Sequence, residues 1–480
     1  MKLSLTNVKS ALQKSALDMN EIVDLLASKS FICKLKEDAD GERLYSWNIV
    51  CDILDDHFSK NNFLIKTNKK DEVFLYNLAF AFPSQFILYD DALSFLSCLE
   101  KEKLLRVMSR KKIASFLFEK LVGEKPSLNT PFSPSLILYV ALAATAFQIF
   151  PKEKEIFYLK RFLNLLEHNE CYYSSDIRSA FEKRISALIL AKEKSVKGIK
   201  GKDKVAIFIT GQLRGFENGI ASLVSHIENI HNCDFFVSTW NDIGTTSVTW
   251  ERLERLFEKD AVAWIKENKT KDDLKKISQK ISKKFIAIDS EIKARLGSLL
   301  QDANTCHINI KNDKEYPYNE MFRSEKMYYH NSFWIRTLGK NHFKKYSKIV
   351  KVRPDITYKS DNTFFDTEKV CDQNLVYVEN DGGWIFREWG FGIGDQIIVG
   401  NPALMTKILD VHGGDLLSTR LTRIISAFSS EYTGHTNCGI EAWLNGAECK
   451  KSNITHNGFS NPKLLSIFDT NEIFRAEDTV

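Results

Sequence analysis

The chain has 480 residues, 44% of them apolar and 12% aromatic, which is too long for one ordinary core and too apolar for wholesale disorder. Its net charge of +5 falls far short of a nucleic-acid-binding profile, so no nucleic-acid partner is expected. Nine cysteines stand singly from Cys33 to Cys449, with no CxxC pair. That scatter suits free thiols in a reducing compartment better than a disulfide framework or a zinc site. The opening MKLSLTNVKSALQKS has no continuous apolar stretch and does not read as a secretory signal, so a cytoplasmic location is expected.

Residues 1–195 read as an all-helical domain. Leu-, Phe- and Lys-rich amphipathic stretches recur at Glu21–Ser28, Val73–Phe82, Ala92–Ser109 and Lys154–Glu167. Ser135–Phe150 is strongly apolar and lies between Pro134 and Pro151, but it is shorter than the roughly 20 residues a membrane span requires. A buried helix is expected there. Asp55, Asp56 and His57 are adjacent and would point in different directions on a helix, so a solvated surface is expected. Lys192–Lys204, KEKSVKGIKGKDK, is basic, holds two glycines and has little to bury; residues 196–204 read as a linker. Its lysines also suit contact with an anionic membrane face.

Residues 205–480 alternate between strand and helix. Strands are expected at Val205–Ile209, Cys233–Thr239, Phe285–Ile288, Ile349–Val352, Leu375–Val378 and Gln396–Val399. Helices are expected at Gly219–Ile230, Trp250–Phe257, Lys271–Lys283, Ser290–Leu300, Asn319–Lys345 with Asn319 as cap, Pro402–Val411 and Leu416–Phe428. Residues 301–318 read as a polar surface loop. The alternation predicts an α/β domain with a mainly parallel sheet and helices on both faces.

Four segments fall at strand ends, where an open α/β sheet presents a ligand site. Thr210-Gly211-Gln212-Leu213-Arg214 follows the first strand and combines a glycine for close backbone approach with a forked cation for phosphate or carboxylate. Ser238-Thr239-Trp240-Asn241-Asp242 follows the second, with Trp240 placed to stack on a base or sugar ring. Lys351–Thr357 carries Arg353 and Asp355, and Gly392–Gln396 carries Asp395. Each also has a plainer reading: a turn needs Gly and Asp for backbone reasons, and Arg353 with Asp355 suits a structural ion pair. Before Asp395, Trp384, Phe386, Trp389 and Phe391 stand among glycines, as in a mobile aromatic lid over an acceptor sugar or a loop packed on the core.

The order of these segments resembles bacterial surface-polysaccharide glycosyltransferases, of the capsule or lipopolysaccharide type, with a type A nucleotide-sugar-binding fold. That pattern has a Ser/Thr-Gly-Gln-x-Arg turn, a strand ending near Ser-x-Trp, a Tyr-Asp-x-Val-x-Arg-x-Arg-Pro-Asp segment, an Asp-Gln strand start and a Glu-containing helix. The matching residues are Thr210–Arg214, Ser238–Trp240, Tyr346–Asp355, Asp395-Gln396 and Glu441 in CGIEAWL, with Ser347 and Lys351 departing from the third motif. The resemblance covers about residues 203–460.

The resemblance implies a cytoplasmic glycosyltransferase acting on a glycan or lipid-linked acceptor, at the inner face of the membrane. Donor contacts fall to Thr210, Gly211, Gln212, Arg214, Trp240, Arg353 and Asp355; the base is Asp395 or Glu441; Trp384, Trp389 and His435 would meet the acceptor. Asp355 would hold a divalent ion, Mg²⁺ or Mn²⁺. The pattern's second carboxylate is missing, however, because the sequence reads Asp355-Ile356-Thr357, and a metal-free site using Arg214 and Arg353 stays open. Two alternatives stand beside it: a non-catalytic nucleotide-sugar-binding scaffold, and another nucleotide-dependent transferase. No GxxxxGK[ST] loop is present and no GxGxxG follows Val205–Ile209, which weighs against a P-loop ATPase or a dinucleotide oxidoreductase.

Overall fold

The computed structural model describes residues 26–27, 55–56, 71–123, 132–167, 174–194, 204–243, 249–359, 374–379, 382–387, 389–413, 415–427, 430–452, 454–459 and 464–475. They fall into two compact units. One takes the described residues up to Ile185 with Phe386–Phe391 and Leu421–Ser430; the other takes Ser186–Ile385, Gly392–Arg420 and the described residues from Glu431 on. The division falls inside a helix, between 185 and 186, and not in the basic stretch. The expected helix Glu21–Ser28 apart from residues 26–27, residue His57 and most of the linker (196–203) lie outside the described residues.

In the first unit, helices run α1 Glu72–Ala81, α2 Pro83–Phe86, α3 Ala92–Cys98, α4 Lys101–Met108, α5 Lys111–Val122, α6 Pro134–Ala146, α7 Glu155–Leu166 and the start of α8 Ser174–Lys194. The stretch expected as one helix from 92 to 109 breaks at Leu99, whose backbone is extended (ψ 140°). α6 is buried almost throughout, begins at Ser133, whose hydroxyl accepts from Leu136 N at 3.2 Å, and has only 13 residues. At 1.5 Å per residue it spans about 20 Å, short of a bilayer core. No helix among the described residues is long and apolar enough to cross a membrane. Asp55 is buried, not solvated: its carboxylate accepts from Ser84 N, Ser84 Oγ and Lys112 Nζ at 3.1, 2.9 and 2.8 Å, whereas Asp56 is exposed as expected. Lys192–Lys194, the start of the basic stretch, form the end of α8.

The second unit is an α/β structure on a seven-stranded, mostly parallel sheet. Its strands are β1 Val205–Gly211, β2 Cys233–Trp240, β3 Thr305–Lys311, β4 Lys348–Val352, β6 Leu375–Val378, β9 Ile397–Gly400 and β10 Glu448–Lys451, in spatial order β10-β6-β9-β4-β1-β2-β3. β9 alone runs against the others, pairing antiparallel with β4 and β6. β5 Ile356–Lys359 pairs with β11 Thr455–Phe459; β7 Trp384–Arg387 pairs with β8 Gly390–Ile393, two strands that the division splits between the units. Helices α9 Phe216–Ser225, α10 Lys259–Asn268, α11 Lys271–Lys283, α12 Asp289–Leu299, α13 Arg323–Leu338, α14 Pro402–Ile408, α15 Leu417–Ile425, α16 Thr436–Leu444 and α17 Ile467–Arg475 complete the order.

The apolar run of β1 and the burial of every residue of β2 and β4 are what a parallel sheet covered on both faces requires. Val205, Ile207 and Ile209 pack with Phe216, Ile220 and Leu223 of α9 and Ile292 and Leu296 of α12. The opposite face carries Phe208 and Phe236 against Phe343, with rings 5.3 Å apart, and Trp334 of α13. Four expectations are corrected here. Residues 301–318 hold β3, whose polar composition reflects its edge position: only Asn309 and Ile310 are buried. Phe285–Ile288 makes one isolated bridge, Asp242 to Ile286, and no strand. The helix expected over 319–345 starts at Arg323, with Glu325 accepting from Phe322 N, and stops at Gly339, whose φ of +78° favours glycine. Asn319 therefore caps nothing and sits in a short 3-10 turn, Tyr318–Glu320. The aromatic stretch before Asp395, expected as a mobile lid or a loop packed on the core, holds the β7–β8 strand pair, most of whose residues are buried.

Candidate functional site

The topology places a crevice before any side chain is considered. β1 connects to β2 on one side, and β3 returns the chain to β4 on the other, so connections leave the β1/β4 pair in opposite directions. Open α/β sheets bind ligands at the carboxyl ends of strands at such a point. Arg214 follows β1, and Arg353 and Asp355 follow β4. Because β9 is reversed, its entrance, with Asp395, arrives at the same rim.

Backbone geometry fixes the two turns. Gly211 ends β1 at φ +130° and Gly215 sits in the left-handed region before α9, conformations that side chains resist. α9 packs directly on the Arg353–Asp355 turn: a Cβ on Gly219 would stand 2.1 Å from the Pro354 carbonyl oxygen. Gly219→Ala is therefore expected to push helix and turn apart and to cost about 1–3 kcal/mol. The check is a urea midpoint, and an unchanged midpoint would show that the contact yields freely.

Asp355 is the pivot of the charges. It is buried, with 1% side-chain exposure, and both its oxygens are taken. Arg353 donates Nε to Oδ1 at 2.9 Å and Nη2 to Oδ2 at 2.8 Å, and Arg214 donates Nη2 to Oδ2 at 2.6 Å. The two arginine side chains each remain 21% exposed. Burial opposes the Arg353 charge, but its hydrogen bonds to Asp355 outweigh that and raise its pKa above the ordinary value. Arg353 Nη1 also lies 3.9 Å from Asp395 Oδ2, and His435 Nδ1 lies 3.4 Å from Asp395 Oδ1.

Asp395 is held from below. Lys351 Nζ donates to its carbonyl oxygen, and Glu379 accepts from Gln396 N and Ile397 N, both at 3.2 Å. Burial alone would raise the Asp395 carboxyl, but His435, Lys351 and Arg353 more than offset it and hold it below the usual carboxylate range. Burial also lowers the Lys351 amine, despite Asp395 nearby. His435 stands at φ +72° at the start of α16, and its carbonyl accepts from Ile393 N at 3.2 Å.

Arg214, Arg353, Asp355, Asp395 and His435 thus meet along one rim, with Gly211 and Gln212 in the adjoining turn. The other candidates are placed differently. Trp240 is buried among Tyr318, Tyr329 and His330, with Lys326 Nζ 5.6 Å from its ring, so it packs the core and offers no face for a nucleotide base. The Thr210 hydroxyl is buried and donates to Asn331 Oδ1 at 2.7 Å, turned toward α13 and away from a donor. Glu441 accepts from Asn445 Nδ2 at 2.7 Å along its own helix. Trp384 is buried in β7, and Trp389 belongs to the other compact unit.

Sequence reasoning did not find Glu379, which only the β6–β9 pairing brings beneath Asp395. It also missed a buried set in which Asn309 Nδ2 donates to Ser238 Oγ at 3.0 Å and Ser238 Oγ lies 2.7 Å from His330 Nδ1. Burial drops the His330 imidazole to about 3, so it stays neutral there. The spacing of Ser238 and Asn309 gave no signal, because their partnership is a cross-strand register pair.

The donor set does not fit a divalent ion at Asp355. Both oxygens already accept from guanidiniums, and a cation placed there would face two positive groups. No group of three or more His, Cys, Asp or Glu arranged for a metal occurs among the described residues. Comparison with protein-family models, curated proteins and solved structures returned no match to this chain.

Proposed function

We propose that the second unit is a glycosyltransferase that moves a sugar from a nucleotide-sugar donor to a glycan or lipid-linked acceptor in surface-polysaccharide synthesis, at the inner membrane face. The observation that carries this reading is the meeting of Arg214, Arg353 and Asp395, distant in sequence, at the β1/β4 crevice. Transfer of a glycosyl group needs opposite provisions at its two ends. The acceptor hydroxyl attacks the anomeric carbon and gives up its proton; the bond from that carbon to the phosphate oxygen breaks, leaving negative charge on the nucleotide. The Arg214–Arg353 side suits the leaving phosphate, and ionised Asp395 suits the proton, a weak base by its low pKa but one adjoining the departing charge. His435 and the Asp395 side face the acceptor.

A thermal-shift panel of nucleotide sugars with uridine, guanosine, cytidine and thymidine heads tests this. One base series is expected to raise the melting temperature: a ligand at one hundred times its Kd stabilises by about 2.7 kcal/mol, several degrees for a domain of this size. A flat panel removes the donor assignment. Donor that binds but is never turned over, with any acceptor glycan or lipid, supports a binding scaffold instead.

A further inference from the structure

We infer that Arg214, Asp355 and Arg353 form a diphosphate clamp that works without a divalent cation, and that the donor is a nucleoside diphosphate sugar; the second half rests on the reading above. A carboxylate in a phosphate site is ordinarily expected to hold the metal that neutralises the phosphates. Here Asp355 does something else. It is buried and pins two guanidiniums together, three N–H donors on its two oxygens, while the two arginine side chains keep partial exposure.

Two guanidinium charges against one carboxylate leave the triad itself with one surplus positive charge, which ionised Asp395 offsets on the Arg353 side. Asp355 takes the Nε–Nη2 edge of Arg353 and accepts from Nη2 of Arg214, so a diphosphate would meet the outer edges of the two guanidiniums, one phosphoryl group to each. Orientation follows from the neighbours. Asp395, 3.9 Å from Arg353 Nη1, repels phosphate on that side and pushes the diphosphate toward Arg214. The first turn of α9 begins directly after Arg214 and Gly215 and adds the positive end of its dipole on the same side. The clamp supplies what Mg²⁺ or Mn²⁺ would supply, and it occupies the carboxylate such an ion would need.

Isothermal titration of the full chain reads this directly, with uridine, guanosine, thymidine and adenosine diphosphates, their monophosphates and inorganic pyrophosphate, each in EDTA and again in excess Mg²⁺ or Mn²⁺. In EDTA at least one diphosphate is expected to bind about tenfold or more tighter than its monophosphate, as a second pair of charge-assisted hydrogen bonds provides. Pyrophosphate is expected to compete, and added metal to change Kd by less than about twofold. Arg214→Lys keeps the charge but loses the fork, and is expected to erase most of the diphosphate preference; circular dichroism and the melting curve confirm that the variant is folded. Binding that requires Mg²⁺ or Mn²⁺, or equal affinity for mono- and diphosphates, overturns the clamp and leaves the glycosyltransferase reading standing. Metal-free diphosphate binding with no response to any nucleotide sugar upholds the clamp and removes that reading. No binding of any of these anions overturns both.

Discussion

Asp355→Asn is expected to destabilise the protein by about 3 kcal/mol, seen as a lower urea midpoint at unchanged slope. Removing one partner of a buried ion pair costs about 3–5 kcal/mol, because the remaining charge is left without compensation. Here the two arginine side chains are partly exposed, so water takes up some of the cost and the lower end of that range applies. Asparagine can still accept through its oxygen, but its amide group would point hydrogens at a guanidinium. Combining Asp355→Asn with Arg214→Gln should recover part of the loss, since the second change relieves the repulsion that the first creates; the coupling is read from the double-mutant cycle. A loss under about 1 kcal/mol would mean that Asp355 behaves as a screened surface group, against its 1% exposure.

Asp395→Asn is expected to lower glycosyl transfer by at least about 100-fold while changing donor affinity less than about threefold, the pattern of a lost general base. Asparagine keeps the size and the backbone, so the Lys351 and Glu379 contacts to that segment's carbonyl and amides persist. Only the negative charge facing Arg353 and His435 disappears. Single-turnover rates at saturating donor separate the chemical step from binding. A rate near that of the natural protein would take the proton-accepting role from Asp395 and direct attention to Glu441. A parallel rise in Kd would instead make Asp395 an organiser of Arg353.

The sheet was legible where burial is two-sided. Val205–Gly211 and Cys233–Trp240 are apolar runs that no surface segment would carry, and both are strands to within two residues of their expected bounds. Thr305–Lys311 was not legible, because an edge strand needs only a few buried positions and its threonine, histidine and asparagine read as loop. The same asymmetry governs the site. Arg214, Arg353 and Asp355 sit beside glycine, proline and strand ends, which local sequence displays. The burial of Trp240 depends on Tyr318, Tyr329 and His330 arriving from another segment, and no pattern around Trp240 foretells it. Asp355 illustrates the limit most sharply: the sequence offered both a metal ligand and an ion pair with Arg353, and only the fold adds Arg214 as a second partner.

The reversed course of β9 carries a consequence for how this rim tolerates change. Asp395 stands where the chain enters β9, opposite the end of β4, so the pairing of these two strands sets its distance from Asp355. The register of Val352 against Ile397 is the ruler. A slip of one residue there would swing Asp395 to the other side of the sheet and detach it from Arg353.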